Sequence, residues 1–319
     1  MSPEIKGCQQ LRAEVIDRDL CSLCGACVGM CPYLVAYKGR VVALDDCNVS
    51  QGRCYAFCPR TPTDLDLVSD AVFGASYDPG PVGRAKEVMM ARAADEGVRS
   101  RVGDGGAVSA LVSFALEQGI IDSVVLTDSS DDNPGGVLLR EPRRVIDYAR
   151  SKNIVAPILA AFNREAGKEE VRKIGVVALP CQALALAKMR ASPLENRNNI
   201  DKLALVVGLF CRFLRRECVV CLDLTGEFAD ISVGVEGLPD WNILIIRSNR
   251  GQELVDAARA RGVIEVEALS EENLDRLREA SLRKRKTGLG NIAKVTGSED
   301  DLLYVVLATE ARKKLVAGQ

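Results

Sequence analysis

The sequence predicts an α/β fold in which a small cysteine-rich domain precedes a larger α/β domain. Seven of the twelve cysteines fall between Cys21 and Cys58, in a stretch too poor in periodic apolar segments to build a core without bound metal. The segment 78–81, Asp-Pro-Gly-Pro, continues neither a helix nor a central strand. Beyond Ala85, apolar strand-like runs alternate with helix-like segments, which is the pattern of an α/β sheet. We therefore predict a first domain, a linker and a second domain at residues 1–62, 63–84 and 85–319.

The composition narrows the classes of function. A net charge of −2, from 42 Lys and Arg against 44 Asp and Glu, gives no general attraction to nucleic acid or to anionic membranes. Apolar runs stay below the roughly 18 residues of a membrane span, and the first residues lack a secretory signal pattern. We therefore expect a cytoplasmic protein without a membrane span, in which the twelve cysteines are metal ligands or redox thiols rather than disulfides.

The first cysteine run has the spacing of bacterial ferredoxins. It reads Cys21-x2-Cys24-x2-Cys27-x3-Cys31 and is followed by Pro32. In that pattern three closely spaced thiolates hold one 4Fe-4S cluster and the fourth reaches a second cluster. Zinc sites usually have two C-x2-C pairs separated by a longer loop, and the absence of histidine excludes Rieske-type and haem-histidine ligation. The run therefore predicts a two-cluster, ferredoxin-like N-terminal domain.

The second run, Cys47-x6-Cys54-x3-Cys58, is less regular, because Gln51 stands where a regular run has its middle cysteine. In two-cluster ferredoxins the last cysteine of each run binds the cluster of the other run, which we call the crossing rule. We therefore predict one 4Fe-4S cluster on Cys21, Cys24, Cys27 and Cys58, and a second cluster on Cys31, Cys47 and Cys54. Three thiolates suffice for a 3Fe-4S cluster. Cys8 could instead fold back and complete a 4Fe-4S site, or it could be an isolated cysteine. The type of the second cluster stays open.

Four cysteines of the larger domain follow its predicted strands. The clearest strand-like runs are Val124–Leu126, Ile174–Ala178, Leu203–Leu209 and Ile243–Ile246. Cys181 lies at the strand-to-helix turn after the second run, and Cys211 follows the third, at the ends of strands where ligands gather in open α/β sheets. Cys218 and Cys221 form a C-x2-C pair soon afterwards. These four could hold a third cluster, and the rival interpretation is buried structural cysteines beside a small zinc or redox pair.

Two shorter patterns complete this part of the chain. Gly105 and Gly106 precede an amphipathic helix at 107–118 that Gly119 ends. Glycines at a helix start let backbone N–H groups approach a phosphate, although such a pair also occurs in plain turns. The basic run 283–286 follows a helix that begins near Glu271, and we expect a solvated helix end there rather than an anion or partner site.

The order of these features resembles the family of beta subunits of coenzyme F420-reducing hydrogenases and dehydrogenases over nearly the whole chain. The strings that match in the family's order are Asp-Gly-Gly at 104–106, Leu-Glu-Gln-Gly-Ile-Ile-Asp at 116–122, Leu-Pro-Cys-Gln at 179–182, Gly-Leu-Phe-Cys at 208–211, the segments 218–223 and 229–234, Arg247 and Gly251. Ser151-Lys152 resembles a Gly-Ser-Lys segment of the family, with Arg150 replacing the glycine. Only six residues separate Cys211 from Cys218, where family members usually carry a longer insertion.

The resemblance implies FAD in the larger domain, beside a cluster bound by Cys181, Cys211, Cys218 and Cys221. The expected flavin contacts are Gly105, Gly106, Ser109, Ser151 and Lys152. The implied protein is an oxidoreductase subunit that moves electrons between a two-electron carrier, F420 or NAD(P)H, and a partner subunit. Two alternatives stay open: a non-catalytic iron–sulfur relay without flavin, and a flavin enzyme that itself reduces an unsaturated substrate.

Overall fold

A computed structural model describes residues 3–102, 104–129, 132–149, 154–195 and 199–318. Within these ranges the α-helices are α1 (Cys8–Leu11), α2 (Arg53–Ala56), α3 (Leu65–Phe73), α4 (Glu96–Val102), α5 (Ala107–Glu117), α6 (Leu159–Glu165), α7 (Pro180–Ala191), α8 (Asn249–Ala260), α9 (Glu271–Thr296) and α10 (Thr309–Ala317). The strands are β1 (Leu34–Tyr37), β2 (Arg40–Ala43), β3 (Thr63–Asp64), β4 (Glu87–Ala93), β5 (Ser123–Asp128), β6 (Gly135–Leu139), β7 (Ile174–Ala178), β8 (Leu203–Leu209), β9 (Ile231–Gly234), β10 (Asn242–Ile246), β11 (Ile264–Ala268) and β12 (Val305–Val306). A π-helical turn at Arg12–Ile16 continues α1, and 3-10 turns lie at Pro142–Tyr148, Ile200–Lys202 and Arg216–Cys218.

An eight-stranded sheet in the order β11-β4-β10-β9-β8-β7-β5-β6 forms the centre of the protein. Its middle strands β5, β7, β8 and β9 run parallel to one another, and antiparallel pairs flank them. Because β4 and β9 both run antiparallel to β10, β4 points the same way as the parallel strands. The C-terminal ends of these five strands therefore lie along one edge of the sheet, which we call the carboxyl edge. Open α/β sheets bind ligands at this edge.

The α/β prediction is confirmed, with small differences at the ends of elements. Strands β7 and β8 have the predicted bounds, whereas β5 and β10 extend beyond the apolar runs. All five residues of β7 are buried, as expected where helices cover both faces of a parallel strand. Helix α5 ends at Glu117, and Gly119 follows it with a φ of 65°, a left-handed conformation that costs glycine nothing.

The cysteine-rich segment shares a core with the larger domain. Leu11, Leu34 and Phe57 belong to the same buried cluster as Phe162 of α6 and Leu186 of α7. The contact also includes hydrogen bonds, because the Asn163 side-chain amide on α6 donates to the carbonyl oxygens of Ala26 at 3.0 Å and Val28 at 2.7 Å. The loop that carries the first cysteine run is thereby fixed on α6.

The segment 63–84, predicted as a linker, contains regular structure. β3 pairs in parallel with β12, and α3 packs against α7. The Asp64 carboxylate caps α3 by accepting from the Leu67 N–H at 3.1 Å, which satisfies one free donor of the first turn. The sequence did not predict this helix, because the Pro-Gly-Pro stretch at 79–81 indicated a linker. The rest of the predicted linker, from Gly74 to Arg84, has irregular backbone.

The basic run at 283–286 lies inside α9, so its prediction as a solvated helix end is wrong. α9 continues to Thr296, and Lys284 and Arg285 are buried. The Lys284 ammonium donates to the carbonyl oxygens of Cys211 and Asp223, and the Arg285 guanidinium donates to those of Pro79 and Gly80. These cations therefore attach α9 to the loops below it. Although α9 is long, no helix of the described ranges is both long and apolar enough to cross a membrane.

Some residues that matched the family lie in the framework. The Asp230 carboxylate accepts from the Val206 N–H at 2.8 Å and from the Ser248 hydroxyl at 2.6 Å. A Cβ on Gly251 would lie 2.4 Å from the Asp230 carbonyl oxygen, so α8 packs too closely there for a side chain. Arg247 is buried and donates to the carbonyl oxygens of Val82 and Arg84. These residues join β8, β10 and α8 below the carboxyl edge.

Candidate iron-sulfur and cofactor sites

The twelve cysteines form no disulfides and lie in three groups of four. Each group is defined by electrostatic interactions among its members. The first group is Cys21, Cys24, Cys27 and Cys58; the second is Cys8, Cys31, Cys47 and Cys54; the third is Cys181, Cys211, Cys218 and Cys221. Across the part of the chain that the structure describes, no three His, Cys, Asp or Glu side chains converge to hold a single metal ion. Four thiols in one group match the number of thiolates that hold a 4Fe-4S cluster.

Cys24 and Cys27 of the first group are buried, and Cys21 and Cys58 are partly buried. Burial, followed by the charge of Cys58, raises the pKa of Cys21 to about 11. Burial also raises the pKa values of Cys24 and Cys27 well above the ordinary thiol value. Four thiolates in one apolar site repel one another, so a cationic iron core is what would make their deprotonation favourable. Metal uptake at this group would therefore release protons.

The second group brings Cys8 to the less regular cysteine run. Cys8 is 4% exposed and interacts electrostatically with Cys54. Burial, with the charge of Cys8 next, raises the pKa of Cys54 to about 12. Cys31 and Cys47 are only partly buried, so part of this group lies near the protein surface.

The third group lies at the carboxyl edge. Cys181 is in the first turn of α7, where Pro180 at the start of the helix needs no N–H partner. Cys211 follows β8, and its backbone N–H donates to the Leu224 carbonyl oxygen at 2.8 Å. Burial, followed by the charge of Cys221, raises the pKa of Cys181 to about 12. The strand-end geometry that the sequence suggested thus brings Cys181 and Cys211 to one site.

α9 supports the Cys218–Cys221 loop of this third group. A Cβ on Gly288 would lie 2.8 Å from the Cys221 carbonyl oxygen, so the helix backbone lies directly against the loop. The Asn291 side chain donates to the Val219 carbonyl oxygen at 3.1 Å, and the Tyr304 hydroxyl donates to that of Val220 at 3.1 Å. The loop is therefore held by residues far from it in sequence.

The first and third groups are neighbours in the structure. Cys24 of the first group interacts electrostatically with Cys181 of the third. Arg60, two residues after Cys58, is buried and interacts electrostatically with Cys181 and Cys221. Its guanidinium lies 4.8 Å from the ring centre of Tyr304. No described atom accepts a hydrogen bond from its Nε.

The same region contains the buried ammonium of Lys188, seven positions after Cys181 on α7. It donates to the Cys58 carbonyl oxygen at 2.7 Å and to the hydroxyls of Thr61 and Thr63, each at 2.8 Å. Burial lowers the pKa of Lys188 to about 8. One helix thus carries a thiol of the third group and a cation that contacts the first.

A cavity of about 390 Å³ opens at the carboxyl edge beside the third group, within the size range of small-molecule and cofactor sites. Its lining includes residues at the start of α5 and at the ends of the parallel strands: Gly106, Ala107, Ser109, Thr127, Leu179, Gln182, Phe210, Cys211, Val233 and Gly234. The cavity therefore lies between the N-terminus of α5 and a thiol of the third group.

Backbone geometry explains the two glycines before α5. Gly105 and Gly106 have φ values of 65° and 73°, which disfavour any residue with a Cβ. The Asn242 side-chain oxygen accepts from the Ala107 N–H at 3.1 Å and would lie 2.7 Å from a Cβ on Gly105. The turn brings the N-terminus of α5 to the cavity, an arrangement that favours an anionic group.

The structure describes three of the five predicted flavin-contact residues. Gly106 and Ser109 line the cavity, and Gly105 shapes the turn before them. Ser151 and Lys152 lie outside the described residues. The sequence reading missed Lys188, Arg60 and Asn163. A signal existed for two of these, because Arg60 directly follows Cys58-Pro59 and Lys188 lies two helical turns after Cys181.

Family models match most of the chain. The model of the coenzyme F420 hydrogenase/dehydrogenase beta subunit N-terminal region matches residues 88–163. The model of the C-terminal region matches 171–213 and 212–272, two stretches that meet just after Cys211, where the short connection to Cys218 begins. A 4Fe-4S binding domain matches residues 14–35, which include the first cysteine run.

Several curated proteins are similar to the chain. The coenzyme F420-dependent sulfite reductase of Methanocaldococcus jannaschii is 24% identical over 86% of this chain, which spans only 50% of that protein's length. The coenzyme F420 hydrogenase subunit beta of Methanothermobacter thermautotrophicus is 24% identical, with 66% of this chain and 95% of that protein covered. One subunit of the F(420)H(2) dehydrogenase of Methanosarcina mazei is 27% identical, with 77% and 84% covered.

The fold is also that of a solved structure. A chain of the F420-reducing NiFe hydrogenase complex from Methanosarcina barkeri superposes with a TM-score of 0.63 at 23% identity, covering 68% of this chain and 94% of that one. The two beta subunit models together match more than half of the 319 residues. The chain therefore belongs to the family of coenzyme F420 hydrogenase/dehydrogenase beta subunits, which are subunits of oxidoreductases, and carries a 4Fe-4S binding domain before the beta subunit region.

Proposed function

We propose that this chain moves electrons between a two-electron carrier and a partner subunit, through FAD in the carboxyl-edge cavity and three iron–sulfur clusters. One observation carries the proposal: Cys211 belongs to the third thiol group and also lines the cavity that Gly106 and Ser109 line. A redox cofactor in that cavity would therefore adjoin a cluster on the third group.

The cavity residues suit a dinucleotide flavin. Gly106 and Ser109 at the start of α5 would receive its phosphate groups, because the N-terminus of a helix favours negative charge. Val177, Leu209 and Val233 at the ends of parallel strands give the cavity an apolar wall for a ring system. Bound FAD would supply exchange of two electrons with a hydride carrier and of single electrons with iron–sulfur clusters.

The three thiol groups would form a continuous relay. Cys181 of the third group interacts with Cys24 of the first, and Cys27 of the first interacts with Cys54 of the second. Electrons would therefore pass from the cavity through the third and first groups to the second. The buried cations Arg60 and Lys188 lie along this route and would offset the negative charge of thiolate-bound clusters.

The partner subunit would contact the surface beside the second group. Cys31 and Cys47 are partly exposed there. The nearby segments expose large apolar side chains, with Tyr33 at 40%, Leu44 at 63% and Val49 at 54%. Exposed apolar residues beside a redox centre are suited to a protein interface.

F420 is the two-electron carrier that we propose, because the named relatives are F420-dependent enzymes or subunits. NAD(P)H is the alternative. The test is anaerobic: holoprotein is mixed with reduced F420, NADH or NADPH, and bleaching of the flavin absorbance is recorded. Rapid bleaching by NADH or NADPH alone would assign the nicotinamide carrier instead.

Flavin content tests the cavity assignment. Denatured holoprotein should release FAD, and Gly106→Leu should lower the amount released. Gly119→Leu is the matched control, because Gly119 also has a positive φ, of 65°, but no atom within 4 Å of an added Cβ. If the wild-type protein releases no FAD, the flavin assignment is wrong and a relay without flavin replaces it.

A further inference from the structure

We propose that Cys8 is the fourth ligand of the second N-terminal cluster, which makes that cluster 4Fe-4S rather than 3Fe-4S. The inference rests on the proposed function, because it requires that the first and second thiol groups hold iron–sulfur clusters. It concerns the one cysteine of the N-terminal segment that lies outside both cysteine runs.

Cys8 lies where a fourth ligand is required. It is the first residue of α1 and is 4% exposed. Its side chain interacts electrostatically with those of Cys31, Cys47 and Cys54. Those three cysteines are the incomplete set left by the crossing rule. Four thiolates from one site are the donor set of a 4Fe-4S cluster.

The backbone around Cys8 is fitted to the second run. The Gly52 N–H donates to the Lys6 carbonyl oxygen at 2.9 Å. A Cβ on Gly7 would lie 1.9 Å from the Val49 carbonyl oxygen, and a Cβ on Gly52 would lie 3.0 Å from the Cys54 sulfur. A side chain at Gly7 would push the two segments apart, and one at Gly52 would press on the Cys54 sulfur. Gly7 and Gly52 thus permit a close approach of the two thiols.

The opposite side of the segment is anchored as well. The Glu14 carboxylate accepts from the Lys6 ammonium at 2.7 Å and from the Tyr55 hydroxyl at 2.6 Å. Glu14 therefore joins the residues before Cys8 to the residue after Cys54. Leu11, one turn after Cys8, is 1% exposed in the core. A cysteine held from both sides in this way is not an isolated residue of a loose terminus.

Gln51 is the alternative ligand, and its environment argues against it. It occupies the position of the missing cysteine in the second run, but its side chain is exposed. An amide is also a poor ligand for iron in a cluster, since thiolates hold these clusters. With Cys8 buried among three thiols, the irregular second run is compensated by a cysteine thirty-nine positions before Cys47 in the chain.

The test uses the full-length holoprotein, prepared anaerobically and examined by electron paramagnetic resonance, Mössbauer spectroscopy and iron analysis. Oxidised wild-type protein should show four-iron clusters and no three-iron signal. Cys8→Ala should convert one cluster to the three-iron form, with one iron fewer per chain. Gln51→Ala is the control and should leave the spectra of the wild type unchanged. The wild-type spectrum tests the inference even if Cys8→Ala fails to fold.

The outcomes separate this inference from the function on which it rests. A three-iron signal in oxidised wild type that Cys8→Ala leaves unaltered would overturn the role of Cys8 and preserve the relay. Conversion of the cluster by Gln51→Ala would assign the ligand to Gln51 and also overturn it. A wild-type protein that takes up no iron–sulfur cluster at the N-terminal groups would overturn the proposed function together with the inference.

Discussion

The ammonium of Lys188 lies 2.7 Å from the carbonyl oxygen of Cys58, so a cation on α7 contacts the last cysteine of the first thiol group. The first turn of the same helix carries Cys181 of the third group. A rigid helix therefore spans the two adjacent groups and fixes their separation. Because electron transfer between clusters depends on their positions and local charge, α7 would influence the proposed relay at both groups.

Lys188→Met should make the reduction potential of the first cluster more negative. A nearby positive charge stabilises the reduced cluster, and its removal favours the oxidised one. We expect a shift of tens of millivolts, where about 59 mV is a tenfold change for a one-electron couple. Potentiometric titration followed by electron paramagnetic resonance measures the shift. Lys314→Met removes an exposed charge and should leave the potential unchanged; equal potentials in all three proteins would contradict the role of Lys188.

Gly288→Ala and Gly290→Ala, both in α9, should have opposite effects. At Gly288 the new Cβ would meet the Cys221 carbonyl oxygen at 2.8 Å, whereas at Gly290 it would meet nothing within 4 Å. Gly290→Ala should stabilise the helix by up to about 1 kcal/mol. Gly288→Ala should destabilise the protein by about 1–3 kcal/mol and lower iron retention at the third group. Melting temperature and iron content measure both effects, and a common response would show that the contact is unimportant.

Asn163→Ala should loosen the first cysteine run from α6. The lost amide leaves the Ala26 and Val28 carbonyl oxygens without this donor, and a buried unsatisfied group costs about 1–3 kcal/mol. We expect a lower melting temperature and faster loss of the first cluster under a chelator. Asn249→Ala, at an exposed position, is the control. Unchanged cluster retention in Asn163→Ala would mean that apolar packing alone holds the loop.

Glu227→Gln should change how stability depends on pH. Burial raises the pKa of Glu227 from 4.5 to about 7, despite the Arg285 guanidinium 3.4 Å away. The folded state therefore binds this proton more tightly than the unfolded state does. The contribution of protonated Glu227 to the free energy of unfolding is fully present below about pH 4.5 and is lost as the pH rises through about 7.

The size of this effect follows from the shift and amounts to about 3 kcal/mol over that interval. Melting temperatures of the wild type and Glu227→Gln at about pH 5 and about pH 8 measure it. The wild type should lose more stability than the variant between the two pH values. Parallel losses in the two proteins would indicate that Glu227 is ionised throughout, with Arg285 outweighing burial.

The sequence by itself determined the features that depend on local spacing. The run from Cys21 to Cys31 indicated a ferredoxin-like domain, since the ligands of one cluster are close in the chain. The apolar runs indicated β7 and β8, because strands buried on both faces consist almost wholly of apolar residues. Gly119 marked the end of α5, because a left-handed residue favours glycine. Each of these signals is contained within about ten residues.

Only the tertiary structure decided how distant segments meet. Cys8 lies at the second thiol group because a backbone hydrogen bond between Gly52 and Lys6 pairs its segment with the second cysteine run. The spacing of cysteines in the sequence does not predict this pairing. Lys284 and Arg285 looked like a solvated helix end, yet they are buried because loops from other parts of the chain supply carbonyl oxygens to them. Burial of a charge depends on which acceptors the fold brings near it, and this information is distributed over the whole chain rather than over one segment.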